Sequence, residues 1–133
     1  MNDRTLVAGD ARGVCLVLSE SLSLWGGLDP ATGRIIDVRH PQLGEVVTAR
    51  ILVIPAGRGS SSSSSVLAEA VRLGTAPAAI VLGEPDPVLA LGAIVARELY
   101  GRTIPVIMSD RRFTTGHVVD IAATPSRVVV RLA

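Results

Sequence analysis

The sequence predicts an α/β fold with a parallel βαβαβ centre and additional strands at both ends. Three observations carry that prediction. Three short apolar runs, Ile51–Ile54, Ala78–Leu82 and Ile104–Met108, have the length of buried strands. The two stretches between them repeat apolar residues at helical spacing and stop at glycine, Gly74 and Gly101. Hydrophobic residues make up 48% of the 133 positions and aromatics only 2% (Trp25, Tyr100, Phe113), so the core must be Val, Ile, Leu and Ala. Aliphatic cores of this kind suit parallel strands covered by helices.

Taken in order, residues 13–19 read as a first buried strand. Residues 20–33 hold Trp25-Gly26-Gly27, Asp29-Pro30 and Thr32-Gly33, a density of turn residues that predicts a structured loop. Arg34–Val38 reads as a short strand broken by His40-Pro41, and Gly44–Thr48 as a further short strand. The strand Ile51–Ile54 leads into a helix over about 62–73. Asp86 is placed to cap the next helix, with Pro87 at its first position, and that helix runs to about Tyr100. Segments 114–121 and 127–132 flank Thr124-Pro125-Ser126 as a closing strand pair. The length suits one domain, residues 1–133.

Composition narrows the chemistry. The net charge is +1, without the basic field that nucleic acid demands. All 13 basic residues are Arg, which excludes a P-loop lysine. Cys15, the single cysteine, sits in the apolar run Val14–Leu18 and reads as a buried small hydrophobe. It rules out a disulfide framework and cannot hold an iron–sulfur cluster or structural zinc alone. No apolar run is long enough to span a bilayer, and no leader pattern is visible, so the expectation is a cytoplasmic protein with neither membrane nor nucleic-acid partner.

The most informative stretch is Arg50–Ser65: a strand, the turn Gly57-Arg58-Gly59, six serines from Ser60 to Ser65, and then the helical pattern Val66-Leu67-Ala68-Glu69-Ala70-Val71. A strand, a glycine turn and a polar helix start together form the usual anion site of an α/β sheet. Arg58, Gly59, Ser61 and Ser64 are the candidate anion binders, with Ser60 as the candidate reactive hydroxyl. No G-x-S-x-G surrounds any serine, so a nucleophile elbow is excluded. A flexible linker and a plain N-cap remain as alternatives. Trp25, Gly26, Gly27 and Asp29 mark a loop that either folds a tryptophan over the core or presents it to a ligand or partner. Glu84 and Asp86 lie at the end of a strand, with Asp86 favoured as a cap.

The segments Leu22–Pro30, Ile54–Ser61, Ala76–Ile80 and Gly92–Ala96, in that order, resemble the small subunit, or swivel domain, of the aconitase X family. The resemblance runs from about residue 9 to residue 108. It implies a swivelling β/β/α domain and a separate large subunit that carries an iron–sulfur cluster and most substrate contacts. It further implies dehydration of a small hydroxy acid, phosphomevalonate or cis-3-hydroxy-L-proline in known members, with Ser60 as the proton acceptor. The sequence departs from the pattern at Ser63, where glycine is usual, at Leu24, where an aromatic is common, and at Ser21, where proline is common. The chain shows no phosphate-specific feature and is Arg-rich and Lys-free, which favours cis-3-hydroxy-L-proline over phosphomevalonate. A non-catalytic anion-binding module and a purely structural subunit are the competing classes.

Overall fold

A computed structural model describes residues 3–56 and 61–133. Among the described residues, nine strands and three helical segments follow one another as β1 (Arg4–Val7), β2 (Gly9–Val17), α1 (Leu24–Gly27), β3 (Leu28–Asp29), β4 (Arg34–Ile35), β5 (Ile51–Ile54), α2 (Ser63–Leu73), β6 (Ala79–Leu82), α3 (Pro87–Tyr100), β7 (Val106–Met108), β8 (Val118–Thr124) and β9 (Arg127–Leu132). Seven strands form one mixed sheet in the order β1-β7-β6-β5-β2-β8-β9, and β3 pairs with β4 apart from it.

The parallel centre is as expected: β2, β5, β6 and β7 run parallel, with α2 and α3 as the crossovers. The antiparallel strands β8 and β9 extend one side, and β1 pairs antiparallel with β7 on the other. β2 belongs to both halves. Its residues Gly9–Val14 pair with β8, and Cys15–Val17 pair with β5.

Alternation along the central strands separates two cores. Leu52, Ile54, Ile80 and Leu82 face the helices and pack with Leu67, Val71, Leu89 and Ala93. Ile51, Ala79, Val81 and Ile107 face the other way and pack with Val119, Ile121 and Ala123 of β8. The β8–β9 side thus covers the second face of the parallel strands, giving three layers, β/β/α. Both faces of the central strands are buried, which is why their sequences are continuous apolar runs rather than alternating ones.

Local signals explain the helix ends. Asp86 accepts from the Val88 and Leu89 amides at 3.0 and 3.2 Å, and Pro87 opens α3. Gly74 and Gly101 close α2 and α3 in the left-handed conformation.

Three sequence expectations need correction. β1 was not foreseen, because Arg4–Val7 becomes a strand only by pairing with β7 at the far end of the chain. The strand expected over Arg34–Val38 ends at Ile35, since Asp37–His40 turns back on itself with the His40 amide on Asp37 O. The strand expected over Gly44–Thr48 is reduced to a single bridge between Val46 and Arg34.

Candidate functional site

Parallel strands that run the same way put their C-terminal ends on one edge, and that edge is where α/β sheets gather reactive groups. Here β2, β5, β6 and β7 end there. The Leu18 amide bonds Val53 O, the Gly83 amide bonds Ile54 O and the Ser109 amide bonds Leu82 O, so the ladder continues one residue beyond the strands. The chain leaves β5 at this edge, just ahead of the serine segment in sequence. Gly57, Arg58, Gly59 and Ser60 lie outside the described residues, so three of the sequence-predicted site residues, Arg58, Gly59 and Ser60, have no placement here.

The described part of the segment is well defined. Ser61 is exposed, Ser62 occupies the cap position of α2 and Ser63 starts the helix. Ser62 makes no side-chain cap bond. Ser64 Oγ donates to Ser61 O at 2.9 Å, so its hydroxyl is tied into the first turn. Ser64 also lines the groove between α2 and α3, together with Val95, Leu99 and Tyr100. That first turn is held from behind by Gly92 of α3. A Cβ at Gly92 would lie 2.9 Å from Ser64 O and 3.0 Å from Ser64 Cα, so the helices meet at this distance only because the position is glycine.

Ser63 is the link the sequence did not reveal. Its side chain is 4% exposed, and its Oγ accepts from the Trp25 amide at 3.3 Å. The Trp25 turn therefore sits on the first turn of α2, across 38 positions of sequence. α1 is a turn rather than a true helix: Trp25 has φ −67 and ψ 114, and Gly26 has φ 76. Ser23 Oγ donates to Trp25 O, and Gly27 O accepts from the Ile36 amide. Leu24 and Leu28 point into the core while Trp25 is 61% exposed, so the tryptophan does not fold over the core.

Asp29 has a local task. Its carboxylate accepts from the Ala31 amide and the Thr32 hydroxyl, and its carbonyl takes the Gly33 amide at 2.8 Å, closing the β3–β4 turn. Asp86 acts as the cap of α3, as its sequence context indicated. His40 is buried and fully engaged: Nδ1 accepts from the Gln42 amide, so Nε2 donates to Glu20 O at 3.1 Å.

A second polar cluster occupies the same edge beyond β7. Ser109 Oγ donates to Asp3 Oδ1 at 2.6 Å, Arg111 Nε donates to Asp3 Oδ2 at 2.8 Å, and the Arg111 amide donates to Ser109 Oγ. Burial pulls the Asp3 carboxyl up. The Ser109 and Arg111 contacts outweigh it and hold the group below the usual carboxylate range. This cluster fastens the start of the chain to the end of β7. A hollow of about 630 Å³ lies elsewhere, over β2, β8 and β9, beside the Arg12–Asp120 pair.

The donor set of this chain does not fit an iron–sulfur cluster. Cys15 is fully buried, and burial pushes its thiol up against a smaller opposing effect of Arg50. Among the described residues, no group of three His, Cys, Asp or Glu gathers to hold a metal ion. No helix of the described residues is long and apolar enough to cross a membrane.

Comparison with known proteins now decides the family. The family model described as the aconitase X swivel domain matches residues 1–130. The chain belongs to the aconitase X swivel domain family. It is 54% identical over 122 residues to a cis-3-hydroxy-L-proline dehydratase of Pseudomonas aeruginosa, covering 92% of this chain and 20% of that protein. It is 36% identical over 132 residues to a phosphomevalonate dehydratase small subunit of Thermococcus sibiricus, covering 98% of this chain and 97% of that one. The crystal structure of Thermococcus kodakaraensis aconitase X, in its holo-form, superposes with a TM-score of 0.85 at 31% identity, over 98% of this chain and 99% of that chain. The chain spans only about a fifth of the length of the cis-3-hydroxy-L-proline dehydratases it matches. The two structures are thus alike along nearly the whole length of this chain.

Proposed function

We propose that this chain is the small, swivelling part of an aconitase-like hydro-lyase that dehydrates a small hydroxy acid, with Ser60 as the proton acceptor. The observation that carries the reading is the 54% identity over 122 residues to a cis-3-hydroxy-L-proline dehydratase, an alignment that spans most of this chain. That likeness favours cis-3-hydroxy-L-proline as substrate over mevalonate 5-phosphate, whose dehydratase small subunits match at 49% identity over 80 residues and at 36% over 132.

The chemistry asked of this chain is limited. Dehydration needs a base for the proton on the carbon next to the carboxylate and an acid for the departing hydroxyl. A neutral serine is a weak base, and its alkoxide needs stabilisation. Ser60 immediately precedes Ser61 and the first turn of α2, whose amide dipoles favour negative charge. Arg58 adds a fixed cation two residues earlier in the chain. Gly59, Ser61 and Ser64 complete the proposed anion-binding segment, which would hold the substrate carboxylate while Ser60 takes the proton. The hydroxyl leaves as water once protonated. Because this chain's donors do not fit a cluster, any iron–sulfur cluster belongs to a larger aconitase X chain, and that chain also supplies the remaining substrate contacts.

The test is reconstitution. This chain, the aconitase X large chain of the same genome, and both together are assayed for loss of cis-3-hydroxy-L-proline and of mevalonate 5-phosphate. The proposal expects turnover of cis-3-hydroxy-L-proline by the pair and none by this chain alone. Turnover of mevalonate 5-phosphate instead would replace the substrate. A stable pair without turnover of either would favour a structural role.

A further inference from the structure

The connection from β2 to β5 spends more than 30 residues between two neighbouring parallel strands. A parallel neighbour can be reached through a dozen residues and one helix. The extra chain builds a rim. Gln42 receives the Ser19 amide and hydroxyl, and its own amide reaches Val17 O. His40 holds Glu20 O. Residues 40–42 are thereby anchored at the C-terminal end of β2, on the edge where β5 also ends. On the other flank, the Trp25 turn is fixed to α2 by Ser63 and to Ile36 by the Gly27 carbonyl.

This anchored rim carries large apolar side chains outward. Trp25 is 61% exposed, Val38 is 81% exposed, and Ile36 and Leu43 are about half exposed. The hydrogen bonds above fix the backbone beneath them. Outward-facing aromatic and aliphatic side chains with polar neighbours (here Asp37, Arg39 and Glu45 in the same segment) are the make-up of an interface centre and its rim.

We propose that this rim, with Trp25 as its anchor, is the surface on which the larger aconitase X chain docks. The inference rests on the proposed function. Its occupant is argued from two observations. In the Pseudomonas aeruginosa relative, the segment matching this chain is one fifth of a single longer protein, so in that relative most of the chain lies outside this fold. The rim is also joined by Ser63 to the first turn of α2, so a chain closing over the serine segment covers Trp25 as well. A second exposed apolar pair, Leu91 and Ile94 on α3, lies against β1 away from the Trp25 turn and is assigned no role in docking.

Trp25 is the only tryptophan of this chain, which makes it its own reporter. The chain is labelled with 5-fluorotryptophan and titrated with the unlabelled large chain, and its single fluorine resonance is followed. The proposal expects the resonance to shift or broaden on complex formation. In parallel, Trp25→Ser and Val38→Asp are each expected to weaken binding of the large chain at least about 10-fold, while Leu91→Ser changes it less than about 2-fold, as surface sites outside an interface centre do. Both rim positions are exposed, and the far-ultraviolet circular dichroism of each variant checks that it folds. An unmoved resonance on a complex that does form, or wild-type binding by Trp25→Ser, would overturn the docking surface and leave the proposed function standing. Failure of the wild-type chain to bind the large chain at all would instead overturn the proposed function. Self-association of the wild-type chain lost in Trp25→Ser would overturn the occupant in favour of a second copy.

Discussion

Two helices follow parallel strands that end on the same edge of the sheet, and they begin differently. α3 is closed by its own sequence: Asp86 accepts two amides of the first turn and Pro87 occupies the first helical position. α2 begins in a run of serines, yet Ser62 at its cap position makes no cap bond. Ser63 and Ser64 turn their hydroxyls to the Trp25 amide and to Ser61 O. Where a connection serves only the fold, the sequence supplies the single best capping residue. Where it leads to the proposed site, the described hydroxyls hold neighbouring segments in place instead of capping the helix.

That contrast can be broken by substitution. The largest expected effect on stability comes from Gly92→Ala. Alanine raises intrinsic helix propensity by about 1 kcal/mol, but its Cβ meets backbone atoms of Ser64 that cannot move alone. Overpacking of this kind costs about 1–3 kcal/mol, so net destabilisation is expected. Urea denaturation checks it, and an unchanged midpoint would mean that α2 can shift its first turn freely.

The next effect separates the two helix starts directly. Asp86→Ala should cost about 1 kcal/mol, the ordinary value of a lost cap. Ser62→Ala should stay within about 0.5 kcal/mol, as surface substitutions do. Equal losses at the two positions would remove the distinction between a capped and an uncapped start.

The smallest effect is in the pH dependence. The folded Asp3 carboxyl is held below its ordinary value. Its contribution to stability is therefore present above about pH 4, where the unfolded chain is also ionised, and is lost as the pH falls through the lowered folded value. Asp3→Asn should flatten the stability profile below about pH 4 while leaving the serine edge untouched. A profile that stays as steep would show that other carboxylates set the acid limb.

Most of the parallel centre was legible because its signals are local. Pro87, Asp86, Gly74 and Gly101 mark helix ends within one turn, and the uninterrupted apolar runs of β5 and β6 reflect burial on both faces. The misread parts depend on distant partners. Arg4–Val7 contains nothing that specifies a strand until Met108, Ile107 and Val106 lie beside it. Arg34–Thr48 looks like two strands in sequence, but the bonds of Ile35 to Glu45 and Val47 to Gly33 bend it into a tight excursion. The candidate site is marked in the sequence by a strand, a glycine turn and a serine run, of which residues 57–60 lie outside the described residues. The Ser63–Trp25 bond carries no such mark, since no spacing rule connects residues 38 apart. Asp29, expected in a loop that meets a ligand or partner, has its carboxylate engaged by its own turn.

The central claim is that Ser60 takes the proton, and proton exchange reads that step more directly than turnover does. The complex of this chain with its large chain is held with cis-3-hydroxy-L-proline in D₂O, and deuterium entry at the carbon next to the carboxylate is followed in wild type and Ser60→Ala. The account predicts exchange by the wild type, a loss of about 10²-fold or more in the variant, as for a missing acid–base group, and substrate binding that is largely retained. Exchange at the wild-type rate in Ser60→Ala would contradict it.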